Sequence, residues 1–300
     1  MAPSCFRLAC LNLGFGGESV HRFSQPQAKW PLAPILWCIY RIVLAVYVTV
    51  WLVLTVLEWG EPPYYYYADK KAKFLIYASN WSYLVLLLYL VTMAIGNVFY
   101  HVRNACKTQN GGDETDLELD PDSDRTIPLS SDDTPSRRKS HQALPWYFKL
   151  AWFLHTIACT SGLLVSFSFF IPGQVFNPAG VEPFSVYSFH IHGVNFIIIM
   201  LDVILGAVPA RILHLVYPVT FALMYFIFTL IYYAAGGLNE HGVTAIYPDF
   251  LDWGGLPVGS AVVMIFAVLV ASPTVHIIWY LVYRIRDGLS KRCMGCCWTY

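Results

Sequence analysis

Six apolar segments, at 35–57, 74–99, 147–171, 187–208, 212–235 and 256–283, decide what this chain can fold into. Each is long enough to cross a hydrocarbon core of about 30 Å as a helix rising ~1.5 Å per residue. Lipid offers no hydrogen bonds, so each segment must satisfy its own backbone N–H and C=O groups. The expected fold class is therefore all-α, a polytopic membrane bundle of six transmembrane helices. Charged residues make up 13% of the chain, about half the ~25% of a soluble domain.

Basic residues orient the bundle. Sixteen of the nineteen Lys and Arg lie in the amino-terminal flank, the 101–146 loop and its edge, the fourth connection (Arg211) and the carboxyl tail; the other side holds only Lys70, Lys71 and Lys73. Positive charge stays in the cytosol during insertion, so both termini are expected to be cytosolic. The basic residues follow a membrane boundary rather than one element, so the lipid bilayer is the expected partner and nucleic acid is not. The first 30 residues lack the apolar core of a signal peptide, which leaves the first helix as the insertion signal.

The connections divide the chain. Residues 1–30 read as a cytosolic amino-terminal arm, with no structure assigned to the glycine-bearing stretch 11–17. Residues 31–100 carry helices one and two. Residues 101–145 read as a disordered acidic cytosolic loop, running from Asp113 through Asp133 to Arg137-Arg138-Lys139, either a solvated spacer or a partner-binding or phosphorylated segment. Residues 146–283 carry helices three to six, and 284–300 form a cytosolic tail. There Cys293, Cys296 and Cys297 follow a span beside basic residues, a setting for palmitoylation. Their C-x-x-C lacks a fourth ligand, so no zinc is expected. No cysteine falls in an outer connection, so no structural disulfide is expected either.

Ionisable groups are costly in hydrocarbon, which makes each one in a span a site candidate. At 100° per residue, Ser188, His192, Asn195, Asp202 and Gly206 share one face of helix four, with His190 nearly opposite. Ser79, Asn80, His192 and Asn195 fall at one depth near the outer boundary. There Ser79 could act as a nucleophile, His192 (or His190) as its base, and Asn80 or Asn195 as oxyanion or polar support. The alternative is interhelical hydrogen bonding. His155, Asp202 and His276 form a second, inner polar cluster. No spacing places two of them on one helical turn, so neither a metal nor another cofactor is expected. Arg41 lies close enough to its helix end to snorkel, and is assigned no function.

The Phe23-Ser24-Gln25 entry ahead of Trp30, the Tyr77-Ala78-Ser79-Asn80-Trp81 start of helix two and the His192-Gly193-Val194-Asn195 step resemble the rolling stone family of animal multi-pass membrane proteins. The likeness runs from about residue 23 to 283, the acidic loop excepted. It implies a plasma-membrane protein with a role in cell–cell or membrane interaction such as myoblast fusion, its protein partner unknown. That family is distantly similar to the androgen-induced and androgen-dependent membrane hydrolases, which cleave fatty-acid esters of hydroxy fatty acids with an intramembrane threonine and histidine. Their Tyr-x-Thr element corresponds to Tyr77-Ala78-Ser79. Their His-x-x-His element corresponds to His192-Gly193-Val194-Asn195, with Asn195 where the catalytic histidine stands. Asparagine does not titrate, so a hydrolase built on Ser79 would need His192 or His190 as base and a lipid ester as substrate. Whether the chain is an enzyme is left open by the residues.

Overall fold

The computed structural model describes residues 12–27, 33–58, 71–110, 143–171, 186–239, 241–248 and 250–292. Six helices are long and apolar enough to cross a membrane: Ala33–Leu57, Ala78–Cys106, Trp146–Ile171, Val186–Leu205, Ile212–Ala234 and Pro257–Ser290. There is no named strand among the described residues. The expected all-α, six-span bundle is the observed fold.

The elements are a short α1 (His21–Ser24), α2 (Ala33–Glu58), a 3-10 turn (Lys71–Ile76) leading into α3 (Ala78–Asn110), and α4 (Trp146–Ser168). The fourth span joins α5 (Val186–Phe189), a π turn (His190–Val194) and α6 (Asn195–Leu205). A 3-10 turn (Ile212–Leu215) opens α7 (Val216–Ala234), and the sixth span joins α8 (Pro257–Phe266), a π turn (Ala267–Ala271) and α9 (Ser272–Arg292). Pro257 starts α8, where its missing N–H costs nothing. Gly236, at φ 75°, ends α7 in the left-handed region, and Gly237 N–H returns to the Tyr232 carbonyl at 2.9 Å.

The third span is the hub: α4 packs on α3, α6, α7 and α9, and α3 in turn packs on α2. Tyr83, Leu86, Leu90 and Met93 of α3 recur at helical spacing and meet Trp152, Cys159 and Leu163 of α4, with Ile198 and Val203 of α6 and Trp279 of α9 beyond. Gly162 lets α4 and α6 approach, since a Cβ there would stand 3.1 Å from Asn195 Oδ1. The opposite faces are apolar and exposed, as Ile39, Val43 and Val46 are on α2, and suit lipid.

Three expectations are corrected. Helix α3 runs on to Asn110, into the segment expected to be disordered from 101, and α9 runs on to Arg292, into the segment expected as tail from 284. Leaving the hydrocarbon does not by itself end a helix, because its i→i−4 bonds persist in water and these residues include no proline.

The third correction is the arm. Residues 12–27 are folded against one end of the bundle, including the stretch left without structure. Phe23 is fully buried, with ring centroids 5.6 Å from both Phe148 and Trp152. Phe15 packs on Trp152, His214 and Tyr217 at 5.3, 4.6 and 5.2 Å. Arg211 donates to the Gly14 and Gly16 carbonyls at 2.5 and 2.6 Å, and Arg22 donates to Ala207 O, Glu18 and the Tyr283 hydroxyl. Two aromatic anchors and two arginines thus hold a mostly polar segment to which no structure was assigned. Residues 111–142 of the loop, most of the outer connections and Cys293, Cys296 and Cys297 lie outside the described residues.

Candidate functional site

Polar side chains inside the spans gather at two levels. At the arm end, Asp202 of α6 is the centre. One carboxylate oxygen takes the Arg41 Nη1 donor and the other takes the Tyr89 hydroxyl. Arg41 Nη1 also donates to the Tyr89 hydroxyl at 3.2 Å, which closes a triangle across α2, α3 and α6. His155 Nε2 lies 3.8 Å from the second oxygen, its ring between Tyr89 and Trp279 at 4.9 and 5.5 Å. The guanidinium stacks 4.3 Å from the Trp37 ring.

Arg41 is therefore not a snorkelling residue. It is fully buried, because Asp202 offers in the interior what the headgroups would offer outside. The signal in the sequence was available: an arginine and a carboxylate, each about two turns inside a span, are one another's natural partners.

The inner trio divides. His155 and Asp202 come together, while His276 is held elsewhere. Its Nε2 donates to the Arg211 carbonyl at 3.1 Å, leaving Nδ1 as an acceptor 3.2 Å from the Thr160 hydroxyl. The Thr156 carbonyl, 3.1 Å from the same hydroxyl, competes with Nδ1 for its single hydrogen, as in the back-bond of a helical threonine. Among the described residues no group of three or more His, Cys, Asp or Glu could hold a metal ion.

At the far end the group that forms is Ser82, Ser161 and Asn195. Asn195 Nδ2 donates to the Ser82 hydroxyl at 3.3 Å, and that hydroxyl shares a 3.1 Å hydrogen bond with Ser161, tying α3, α4 and α6. Ser79, one turn before Ser82, is half-buried, and its hydroxyl has no hydrogen-bond partner among the described residues. Asn80 is buried and spends its Nδ2 on the Phe74 carbonyl at 2.5 Å, closing the 3-10 turn onto α3.

The two histidines of the fourth span sit in the π turn His190–Val194. The His190 ring stacks on Trp51 at 3.5 Å, and the His192 ring stacks on Phe169 at 4.0 Å, almost parallel at 2°. Nδ1 of each is buried without a hydrogen-bond partner among the described residues. A uniform 100° per residue placed His192 on the stripe with Asn195 and Asp202. The π turn carries more than 3.6 residues, so the face is rotated at that point. Asn195 and Asp202, both beyond it, remain buried together on α6.

A six-span helical membrane protein with paired polar groups in its interior is the class that this geometry defines. A family model described as "Protein rolling stone" matches residues 130–299. Protein rolling stone of Drosophila melanogaster is 24% identical over 245 residues, covering 81% of this chain and 75% of that protein. No solved structure matches. The chain belongs to the rolling stone family.

Proposed function

We propose that this chain is a non-enzymatic, rolling-stone-like protein of the plasma membrane, acting in cell–cell or membrane interaction such as myoblast fusion. The observation that carries the non-enzymatic half is the Asn195–Ser82–Ser161 tie. Polar groups in the far half of the spans bond one another across helices, as fasteners do in membrane bundles. The family supplies the rest. In this reading both termini, the 101–145 loop and the 284–300 tail face the cytosol, and Cys293, Cys296 and Cys297 carry palmitate.

The test is depletion of the protein from fusing myoblasts. Fusion should fall, and be restored equally by wild type and by Ser79→Ala. Undiminished fusion overturns the reading. Epitope tags at residues 1, 120 and 300 should be reached by antibody only after permeabilisation, and a clickable palmitate label should be lost when the three tail cysteines are changed to serine.

A second reading keeps the intramembrane hydrolase of fatty-acid esters. It is favoured by the unpartnered Ser79 hydroxyl and the unpartnered Nδ1 atoms of His190 and His192, in two elements that touch, α3 and the π turn. Ser79 would attack the ester carbonyl while His192, or His190, takes its proton. The leaving alcohol would regain that proton, and water would then release the acid from the acyl-serine. Asn80 and Asn195 each spend one Nδ2 hydrogen on the bonds they now make, which leaves the second for the oxyanion. Hydrolysis of a long-chain ester of a hydroxy fatty acid by purified protein, lost in Ser79→Ala at unchanged melting temperature, would decide for this reading.

A further inference from the structure

The buried triangle on Asp202 leaves donors unused. Nε and Nη2 of Arg41, Nε1 of Trp37 and the hydroxyl of Tyr40 are all buried with no hydrogen-bond partner among the described residues. They share one place. Trp37 stacks on Tyr40 at 5.0 Å, and the Arg41 guanidinium lies 4.3 and 5.7 Å from the two rings. Stacking meets the charge of a guanidinium through its faces. Its N–H groups point outward in its plane and still need acceptors. Asp202 does not serve them: its oxygens take Arg41 Nη1 and the Tyr89 hydroxyl, and these other donors make no bond to it. The next neighbour adds another donor: Nε of Arg286 is also unpartnered, while its Nη1 donates to the Val203 and Gly206 carbonyls at 2.6 and 2.7 Å. Gly206 lies beside them: a Cβ there would stand 2.6 Å from the Asp202 carbonyl oxygen, 3.5 Å from Arg41 Nη2 and 3.7 Å from Trp37.

An unsatisfied buried donor keeps its full desolvation cost, so a set of this size asks for an acceptor. A water molecule accepts two hydrogen bonds and must also place two donors of its own, among groups that here are almost all donors. An oxyanion accepts only, and its charge suits the arginines. Tyr40 is half-buried, whereas Leu36, Ile39 and Val43 around it on α2 are exposed. The donors therefore border the lipid-facing side of α2. They lie within about 12 Å of the helix start at ~1.5 Å per residue, near the headgroup boundary.

We infer that Trp37, Tyr40 and Arg41 form a binding site for the acid group of a membrane amphiphile, a fatty-acid carboxylate or a phospholipid phosphate, whose acyl chain lies along Leu36, Ile39 and Val43. The site is separate from Ser79 and does not depend on which reading of that residue holds.

The test uses the full chain in dodecyl maltoside micelles, which bring no oxyanion of their own, with radiolabelled oleate, dioleoyl phosphatidate, uncharged oleyl alcohol and inorganic phosphate as probes. Wild type should bind oleate or phosphatidate, and bind oleyl alcohol and free phosphate at least tenfold more weakly. The tighter of the two acids identifies the source of the oxyanion. Trp37→Phe keeps the stacked ring and loses its N–H, and Tyr40→Phe loses only its hydroxyl. Each should weaken binding of the acid by about tenfold, while binding of oleyl alcohol stays unchanged. Trp253→Phe, which loses a donor at the far end, should bind the acid as wild type does. Equal binding of oleate and oleyl alcohol, wild-type affinity in both Trp37→Phe and Tyr40→Phe, or no binding of either acid would overturn the site and leave buried water as the acceptor.

Discussion

The two ends of the bundle are fastened differently. At the arm end most of the ties involve a charge: Arg41 on Asp202, Arg22 on Glu18, Arg211 on the Gly14 and Gly16 carbonyls, Arg286 on Val203 and Gly206. At the far end most are neutral: Asn195 on Ser82, Trp253 on Thr229 at 3.1 Å, the Tyr225 hydroxyl on the Ile76 carbonyl at 2.9 Å, and two imidazoles held by their faces. Lys73, which donates to the Asn239 carbonyl at 2.8 Å, is an exception. The lesson is one of stakes. A neutral partner lost within a membrane bundle leaves a group that finds modest compensation, whereas a charge left alone there does not. The arm end should therefore be intolerant of single substitutions and the far end forgiving.

The largest expected effect is at Asp202. Asp202→Asn leaves Arg41 charged and unpaired, and should cost about 3–5 kcal/mol in reversible unfolding in mixed micelles. Arg41→Met with Asp202→Leu should recover most of that loss, because no charge is stranded. A double variant as unstable as the single one would break the comparison, since the loss would then come from shape and not from charge.

Next is the arm. Phe23→Ala opens a fully buried aromatic site and should cost about 3–5 kcal/mol. Protease should then cut within residues 12–27 well before the spans unfold. Cleavage at the wild-type rate would mean that the arginines alone hold the arm.

A smaller effect belongs to the far end. Asn195→Ala removes one neutral interhelical bond and should cost about 1 kcal/mol or less. A loss as large as that of Asp202→Asn would erase the contrast between the ends. The smallest is Ser79→Ala, within about 0.5 kcal/mol of wild type by thermal unfolding, since its hydroxyl bonds to none of the described residues. A clear stabilisation would sharpen the contrast further, by showing that a polar group is kept there at a cost.

How far the candidate site could be read from sequence follows the same division. Asp202, His155 and Asn195 were found because a titratable or amide group inside a span is conspicuous by its cost. Ser82 was passed over for Ser79, which its depth in helix two and then the Tyr-x-Thr resemblance pointed to. The two lie one turn apart, and only the neighbouring α4 and α6 show which of them meets a partner. His192 was placed on the stripe by a helical period that the π turn changes, and no residue type announces such a turn.

Sequence by itself determined the class and the number of spans, because crossing lipid is a demand on length and apolarity that each segment meets alone. It also determined which residues would need partners, because the cost of a buried polar group is a property of that group. Tertiary structure decided who the partners are. The arm's place under Trp152, the pairing of Arg41 with Asp202 and the parting of His276 from His155 all join residues far apart in the chain. Such pairings depend on helix rotation and crossing, and a rotation of one turn's fraction redirects a side chain from one neighbour to another.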